Sequence, residues 1–185
     1  MEWVLLAIVV AVVLYAVVVY NGLVSLRQRV TQAFADIDVQ LKQRHDLIPN
    51  LVETVKGYAG HERGTLEAVV QARNAAVVAS DPAQQAAAEG ALSGALGRLI
   101  ALSEAYPDLK ANTNFQELQR ELSDIEHKLA AARRFFNNAV SEYNAAIQSF
   151  PAALFSASMG FHPQTFFDVG ETERQAISAA PQVKF

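Results

Sequence analysis

From Trp3 to Tyr20 the chain carries eighteen consecutive apolar or aromatic residues and no charge. At ~1.5 Å per residue, a helix of that length reaches roughly 27 Å, enough to cross a hydrocarbon core. Trp3 and Tyr20 stand at its two ends, where amphipathic rings favour the headgroup level. A cleaved signal peptide is disfavoured: the run is too long, Glu2 replaces a basic start, and no small-x-small site precedes a polar stretch. Residues 1–21 are therefore expected to form a transmembrane anchor, carried by Trp3, Leu6, Val10, Leu14, Val18 and Tyr20. Arg27, Arg29, Lys42 and Arg44 follow the run, whereas only Met1 and Glu2 precede it. The positive-inside rule then puts the amino terminus outside and the remaining body in the cytoplasm. The charge bias is small, so a body on the outer side stays as the alternative.

Composition narrows the rest. A chain of 185 residues has room for one sizeable core. A net charge of −4 argues against a nucleic-acid binder, which needs a basic face. The absence of cysteine excludes disulfides, thiolate zinc sites and cysteine nucleophiles. Six prolines and nine glycines in an Ala-rich chain favour helix over a turn-dense β fold.

Helical periodicity fills the chain after the anchor. Leu23, Leu26, Val30, Ala33, Ile37 and Leu41 recur at a coiled-coil-like spacing, and the pattern stops at Arg44-His45-Asp46. With Asp46 as N-cap and Pro49 in the first turn, a helix–helix turn is predicted near His45. A second helix continues from Ile48 to about Ala79. Ser80-Asp81-Pro82 starts a third, with Gly90, Gly94 and Gly97 on nearly one side and Leu92, Leu96, Leu99 and Leu102 opposite. Tyr106-Pro107-Asp108 ends it. The fourth carries the clearest seam, from Phe115 through Leu122, Leu129 and Phe136 to Tyr143. The predicted fold is all-α: an N-terminal transmembrane helix continuing into an antiparallel four-helix bundle over residues 22–149, with long helices at about 22–44, 47–79, 82–105 and 114–148. Residues 150–185 form a Phe-rich C-terminal segment, with a tail from Glu173 expected to be mobile. Phe150, Pro151, Leu154, Phe155 and Phe161 either fold back on the bundle or meet lipid or a neighbouring subunit.

The run Tyr20-Asn21-Gly22-Leu23-Val24-Ser25-Leu26-Arg27, then Asp36-Ile37-Asp38-Val39-Gln40-Leu41-Lys42, then Arg44-His45-Asp46-Leu47-Ile48-Pro49-Asn50-Leu51-Val52, closely resembles the LemA family. Val55-Lys56-Gly57-Tyr58-Ala59 with His61-Glu62, and later Glu142-Tyr143-Asn144 and Phe150-Pro151, extend the resemblance to about Phe167. Phe34 stands where members often have tryptophan. The resemblance implies a single-pass bacterial inner-membrane protein with a cytoplasmic helical bundle and no assigned catalytic residues. Relatives are associated with magnetosome membranes, and others accompany a membrane zinc metallopeptidase.

The residues themselves offer little for catalysis. A di-iron bundle wants two Glu-x-x-His pairs and two more glutamates, and the nearest match is Asp124-x-x-His127. No nucleophile elbow or phosphate-cradling glycine loop is present. No cofactor, metal or catalytic residue is therefore expected. Asp36, Asp38, Arg44, Asp46, Pro49 and Asn50 gather around the predicted turn, either as caps and ion pairs or as a partner-binding tip. Gly90, Gly94 and Gly97 suit close helix packing, within the chain or against a second copy.

Helix lengths suggest an assembly. A first helix from Gly22 to Arg44 extends ~35 Å, whereas the second and fourth reach roughly 50 Å. The longer pair would overshoot the membrane surface by about 15 Å, taking Arg73, Asn74, Gln84, Gln85, Glu89 and Glu142 to lipid. Either the chain hinges at Asn21-Gly22, or several subunits shield those ends. The leading functional expectation is a non-enzymatic, self-associating scaffold that organises or shapes the membrane, its partners being lipids and further copies of itself. The alternative is an adaptor that recruits or regulates a membrane protease through the bundle tip.

Overall fold

The computed structural model describes residues 1–167, so the tail expected to be mobile from Glu173 lies outside the described residues. Among them all regular structure is helical: α1 (Glu2–Ala59), α2 (Arg63–Val78), α3 (Pro82–Ser103), α4 (Pro107–Lys110) and α5 (Thr113–Gln148), followed by a short 3-10 turn, Ala152–Leu154. The chain divides into two compact units, one built on Met1–Ile37 and Ala132–Thr165, the other on Asp38–Ala131.

The first unit begins with the apolar run, which is helical and has none of its residues buried by protein. Its helix is long and apolar enough to cross a membrane. Cover starts at Leu23 and continues through Val30, Ala33 and Ile37. These lie one or two helical turns apart and so form one stripe. On α5 the buried set is Phe136, Ala139, Val140, Tyr143 and Ile147. Phe34 meets Phe136 with ring centroids 5.5 Å apart.

In the second unit, four helices each contribute a ridge to one core, an antiparallel bundle joined by short connections. Ile48, Leu51 and Val55 come from α1, Leu66 and Val69 from α2, Leu92, Leu96 and Leu99 from α3, and Phe115 and Leu122 from α5. Leu109 of the short α4 joins the same core. Each such side chain, taken fully from water, contributes about 1.5–3 kcal/mol. Asp81 caps α3, accepting from the Ala83 and Gln84 amides at 3.0 Å, with Pro82 in the first turn. Asn112 does the same for α5, its Oδ1 accepting from the Phe115 amide at 3.0 Å.

The turn predicted near His45 does not exist. Helix α1 runs unbroken from Glu2 to Ala59 with Pro49 inside it, so the residues assigned to the start of a second helix belong to the first. Asp46 caps nothing; its carboxylate pairs with Lys42 one turn earlier at 2.7 Å. Proline removes the donor that would satisfy the His45 carbonyl, and Arg73 of α2 supplies one from Nε at 3.4 Å. The chain reverses at Gly60–Glu62 instead. A Cβ on Gly60 would lie 3.0 Å from the Lys56 carbonyl oxygen, so glycine suits the point where the helix ends.

The expected hinge residues Asn21 and Gly22 lie within the unbroken α1. A further expectation falls with the turn. Residues 22–59 of α1 cover roughly 57 Å and the α5 helix roughly 54 Å, so the mismatch in helix lengths disappears. Glu89 and Glu142, assigned above to an overshooting end, each pair with an arginine of α1 instead.

A proline in a helix interior is disfavoured by up to ~3 kcal/mol relative to alanine. Pro49→Ala is therefore expected to raise stability by about 1–3 kcal/mol in urea unfolding of the full-length protein. A proline in the first turn of a separate helix would give no such gain.

Candidate functional site

The seam of α1 steps through Ile37, Leu41, Arg44, Ile48, Leu51 and Val55, alternating intervals of four and three. Arg44 thus occupies a core position, and its side chain is 1% exposed. A guanidinium there needs partners, because desolvating an unpaired charge costs several kcal/mol. Glu89 of α3, equally buried, receives Nη1 at 2.6 Å. Nη2 donates to Ser93 Oγ at 2.7 Å and meets Glu126 of α5 at 2.5 Å. The second Glu89 oxygen lies 2.6 Å from Nε2 of His45. Arg44 Nε alone finds no partner among the described residues. Three helices are tied through one charged centre.

Around it the polar groups of α1 face outward. Asp38 accepts from Gln85 Nε2 at 3.0 Å. The hydrogen bond from Lys42, the largest influence on Asp46, holds its carboxyl below the usual carboxylate range. Asp36, Pro49 and Asn50 are exposed and meet solvent from mid-helix. The expected partner-binding tip is therefore not a cluster at a turn: Arg44 points into the core and the others lie along the outside of one helix. Two open grooves flank them. One, of about 320 Å³, is lined by Asp38, Lys42, His45, Asp46, Arg73 and Gln85. The other, of about 360 Å³, is lined by Gln43, Asp46, Leu47, Glu121, Asp124 and Lys128. Among the described residues no three His, Asp or Glu side chains are grouped to hold a metal ion.

The remaining predicted residues separate into two kinds. Trp3, Leu6, Val10, Leu14, Val18 and Tyr20 are all exposed along α1. Gly90, Gly94 and Gly97 also lie on an exposed face, and a Cβ on any of them would meet nothing within 4 Å. Among the described residues nothing packs closely against them. Of the residues expected either to fold back or to meet lipid or a neighbouring subunit, Phe161 folds back and is buried in the first unit. Its ring meets Tyr20 edge-on at 5.5 Å, and the Arg27 guanidinium lies over its face at 5.1 Å. Asn144 clamps the same segment by accepting from the Gln164 amide at 2.8 Å and donating to its carbonyl at 2.9 Å. Phe150 and Leu154 stay exposed, and Pro151 and Phe155 are half-buried.

Glu89, His45 and Glu126 were missed by sequence reasoning. The signal was present in register: Glu89 stands three residues before Leu92 on the ridge that continues to Leu96 and Leu99. A charge in phase with an apolar ridge points to a buried partner.

Removing one member of a buried ion pair strands the other, typically at 3–5 kcal/mol. Glu89→Ala is expected to destabilise the protein by about that amount in urea unfolding, and Arg44→Met with Glu89→Leu to recover most of it. Tyr143 is fully buried in the first unit, and its hydroxyl finds no partner among the described residues. Burial raises its pKa above the ordinary 10.0, opposed by the nearby Arg27. The neutral phenol is the form the fold keeps, so this contribution is intact below pH 10 and is lost as pH rises through the raised value. Tyr143→Phe is expected to leave neutral-pH stability unchanged or higher by up to about 1 kcal/mol, and to flatten the alkaline loss in melts followed by circular dichroism.

The sequence profile described as the LemA family matches residues 33–185. The chain is 24% identical over 174 residues to magnetosome protein MamQ of Magnetospirillum gryphiswaldense, covering 80% of this chain and 64% of that protein. It is 25% identical over 164 residues to protein LemA of Metamycoplasma hominis, covering 86% of this chain and 74% of that one. The chain thus spans under two thirds of the length of the magnetosome relative. The profile takes in the seam around Arg44, the capped α3 and α5, and the Asn144 clamp, and by that match the chain belongs to the LemA family.

Proposed function

We propose that this protein is a non-enzymatic, single-pass scaffold of the bacterial inner membrane, with its amino terminus outside and its helical body in the cytoplasm, that self-associates to organise or shape the membrane. The observation that carries this reading is α1, in which one helix supplies both the uncovered apolar segment and a seam of the bundle. Such a helix joins the folded body to the membrane segment without an intervening loop. The polar centre around Arg44 turns its donors and acceptors on one another, which suits holding helices together better than turning over a substrate. The outward glycines of α3 leave room for a second helix to approach, and that helix is assigned to another copy of the chain. The magnetosome name of one relative is compatible with a role at a membrane.

Light scattering on full-length protein in mild detergent tests this. One discrete mass, a multiple of 20.1 kDa, is expected, falling to the single-chain value in Gly90→Leu with Gly94→Leu. A single-chain mass for the unaltered protein would overturn self-association. It would favour the alternative adaptor for a membrane protease, docking at the groove beside Asp46 and Asp124.

A further inference from the structure

After α5 the chain enters a compact, hydrogen-bonded turn. The Ala153 amide donates to the Ser149 carbonyl at 2.9 Å and the Ser156 amide to Ala152 at 2.8 Å. Ser156 Oγ donates to the Ile147 carbonyl at 3.1 Å, and the Phe161 amide to the Ser156 carbonyl at 2.9 Å. Gly160, at φ 77°, allows that closure, since other residues rarely adopt this backbone conformation. The turn buries Ala152, Ser156 and Phe161. It leaves Phe150 and Leu154 at 82% and 76% exposed, although both belong to a well-tied segment. From Ser149 to Gly160 there is no charged residue.

The position of this turn follows from pairs within the same unit. Arg29 of α1 and Glu142 of α5 are joined at 2.8 Å, and Phe34 meets Phe136 further along, so the two helices run antiparallel. Tyr20 lies nine residues before Arg29, ~13 Å along α1, and Phe150 lies eight residues after Glu142, ~12 Å at helical rise. Both therefore reach the same level. The Tyr20–Phe161 ring contact places the far side of the turn there too. That level is where the uncovered apolar run of α1 ends, and hence the boundary of the lipid.

We propose that Phe150 and Leu154 form a second, shallow membrane contact, seated between the acyl chains and headgroups of the leaflet beside Tyr20. Two exposed apolar side chains on an uncharged turn match that chemistry, as aromatic and aliphatic residues do in interfacial segments. This rests on the membrane reading of the anchor and adds how the membrane is shaped: a wedge beside the helix enlarges the area taken in one leaflet only. Two contacts also set which side of α1 faces along the surface, which a lone helix leaves free.

Because the chain has no cysteine, single labels can be placed at will. Full-length Phe150→Cys, Leu154→Cys, Leu14→Cys and Ser141→Cys, carrying an environment-sensitive fluorophore, are reconstituted in phosphatidylcholine–phosphatidylglycerol vesicles. They are then quenched with aqueous iodide or with nitroxide-bearing lipid. Labels at 150 and 154 are expected to lose iodide quenching and gain quenching from shallow lipid nitroxides, while Ser141, exposed on α5, shows the reverse. Iodide quenching at 150 and 154 equal to that at 141, with Leu14 still reached from lipid, overturns the wedge and leaves the anchor standing. Protection of 150 and 154 from both quenchers overturns it in favour of cover by a second copy. Failure of lipid nitroxides to reach Leu14 overturns the anchor reading as well.

Discussion

A guanidinium sealed from water has to be neutralised where it sits, and the second unit is arranged around meeting that demand. Arg44 falls in the apolar seam of α1, so α3 must bring Glu89 and α5 must bring Glu126 to it. A slip of one residue along α3 would turn Glu89 out of the core and leave Arg44 alone. Apolar ridges tolerate small shifts because their interactions have little direction; a charge with a buried partner does not. The centre thus sets a register that Leu92, Leu96 and Leu99 by themselves would leave loose. It also accounts for an uninterrupted α1, since breaking the helix at His45 would part Arg44 and His45 from Glu89.

The first unit holds together by other means. Its contacts are aromatic and aliphatic, with Tyr20 edge-on to Phe161, Arg27 over the Phe161 face and Phe34 against Phe136. The polar contributions are local: the Arg29–Glu142 pair is half-exposed, and Asn144 clamps the backbone at Gln164. An exposed pair of that kind contributes little to stability, about 0–1 kcal/mol, so the burial of Tyr143, Phe136 and Phe161 carries this unit. Its large apolar groups divide into those the fold buries and those it presents, and the proposed functions concern the presented ones: the span of α1, the turn at Phe150 and Leu154, and, on α3 in the second unit, the open glycine face.

Helical content, the long apolar start and the family were legible in the residues because each is a local or linear signal. Eighteen uncharged apolar residues, a 3-4 periodicity and a long matching motif need no knowledge of what lies across the core. The same kind of periodicity, followed without stopping, also passes through Arg44 on α1 and through Glu89 on α3. Arg44-His45-Asp46 interrupts it to the eye, because three polar residues ahead of a proline look like a turn when no buried partner for them is in view.

What the amino-acid sequence determined by itself was therefore the class of fold, the uncovered span and the apolar ridges, all of which follow from propensity and hydrophobic pattern along one strand of chain. Tertiary structure alone decided where α1 ends, which of the acidic residues meets Arg44, and whether each Phe of the C-terminal segment is buried or presented. Those depend on partners far along the chain, 28 residues away in Arg73–His45, 45 in Arg44–Glu89 and 113 in Arg29–Glu142. A charge in a helix's buried seam, or a proline in its interior, is tolerated when such a partner arrives, and one-dimensional patterning has no means of showing that it does.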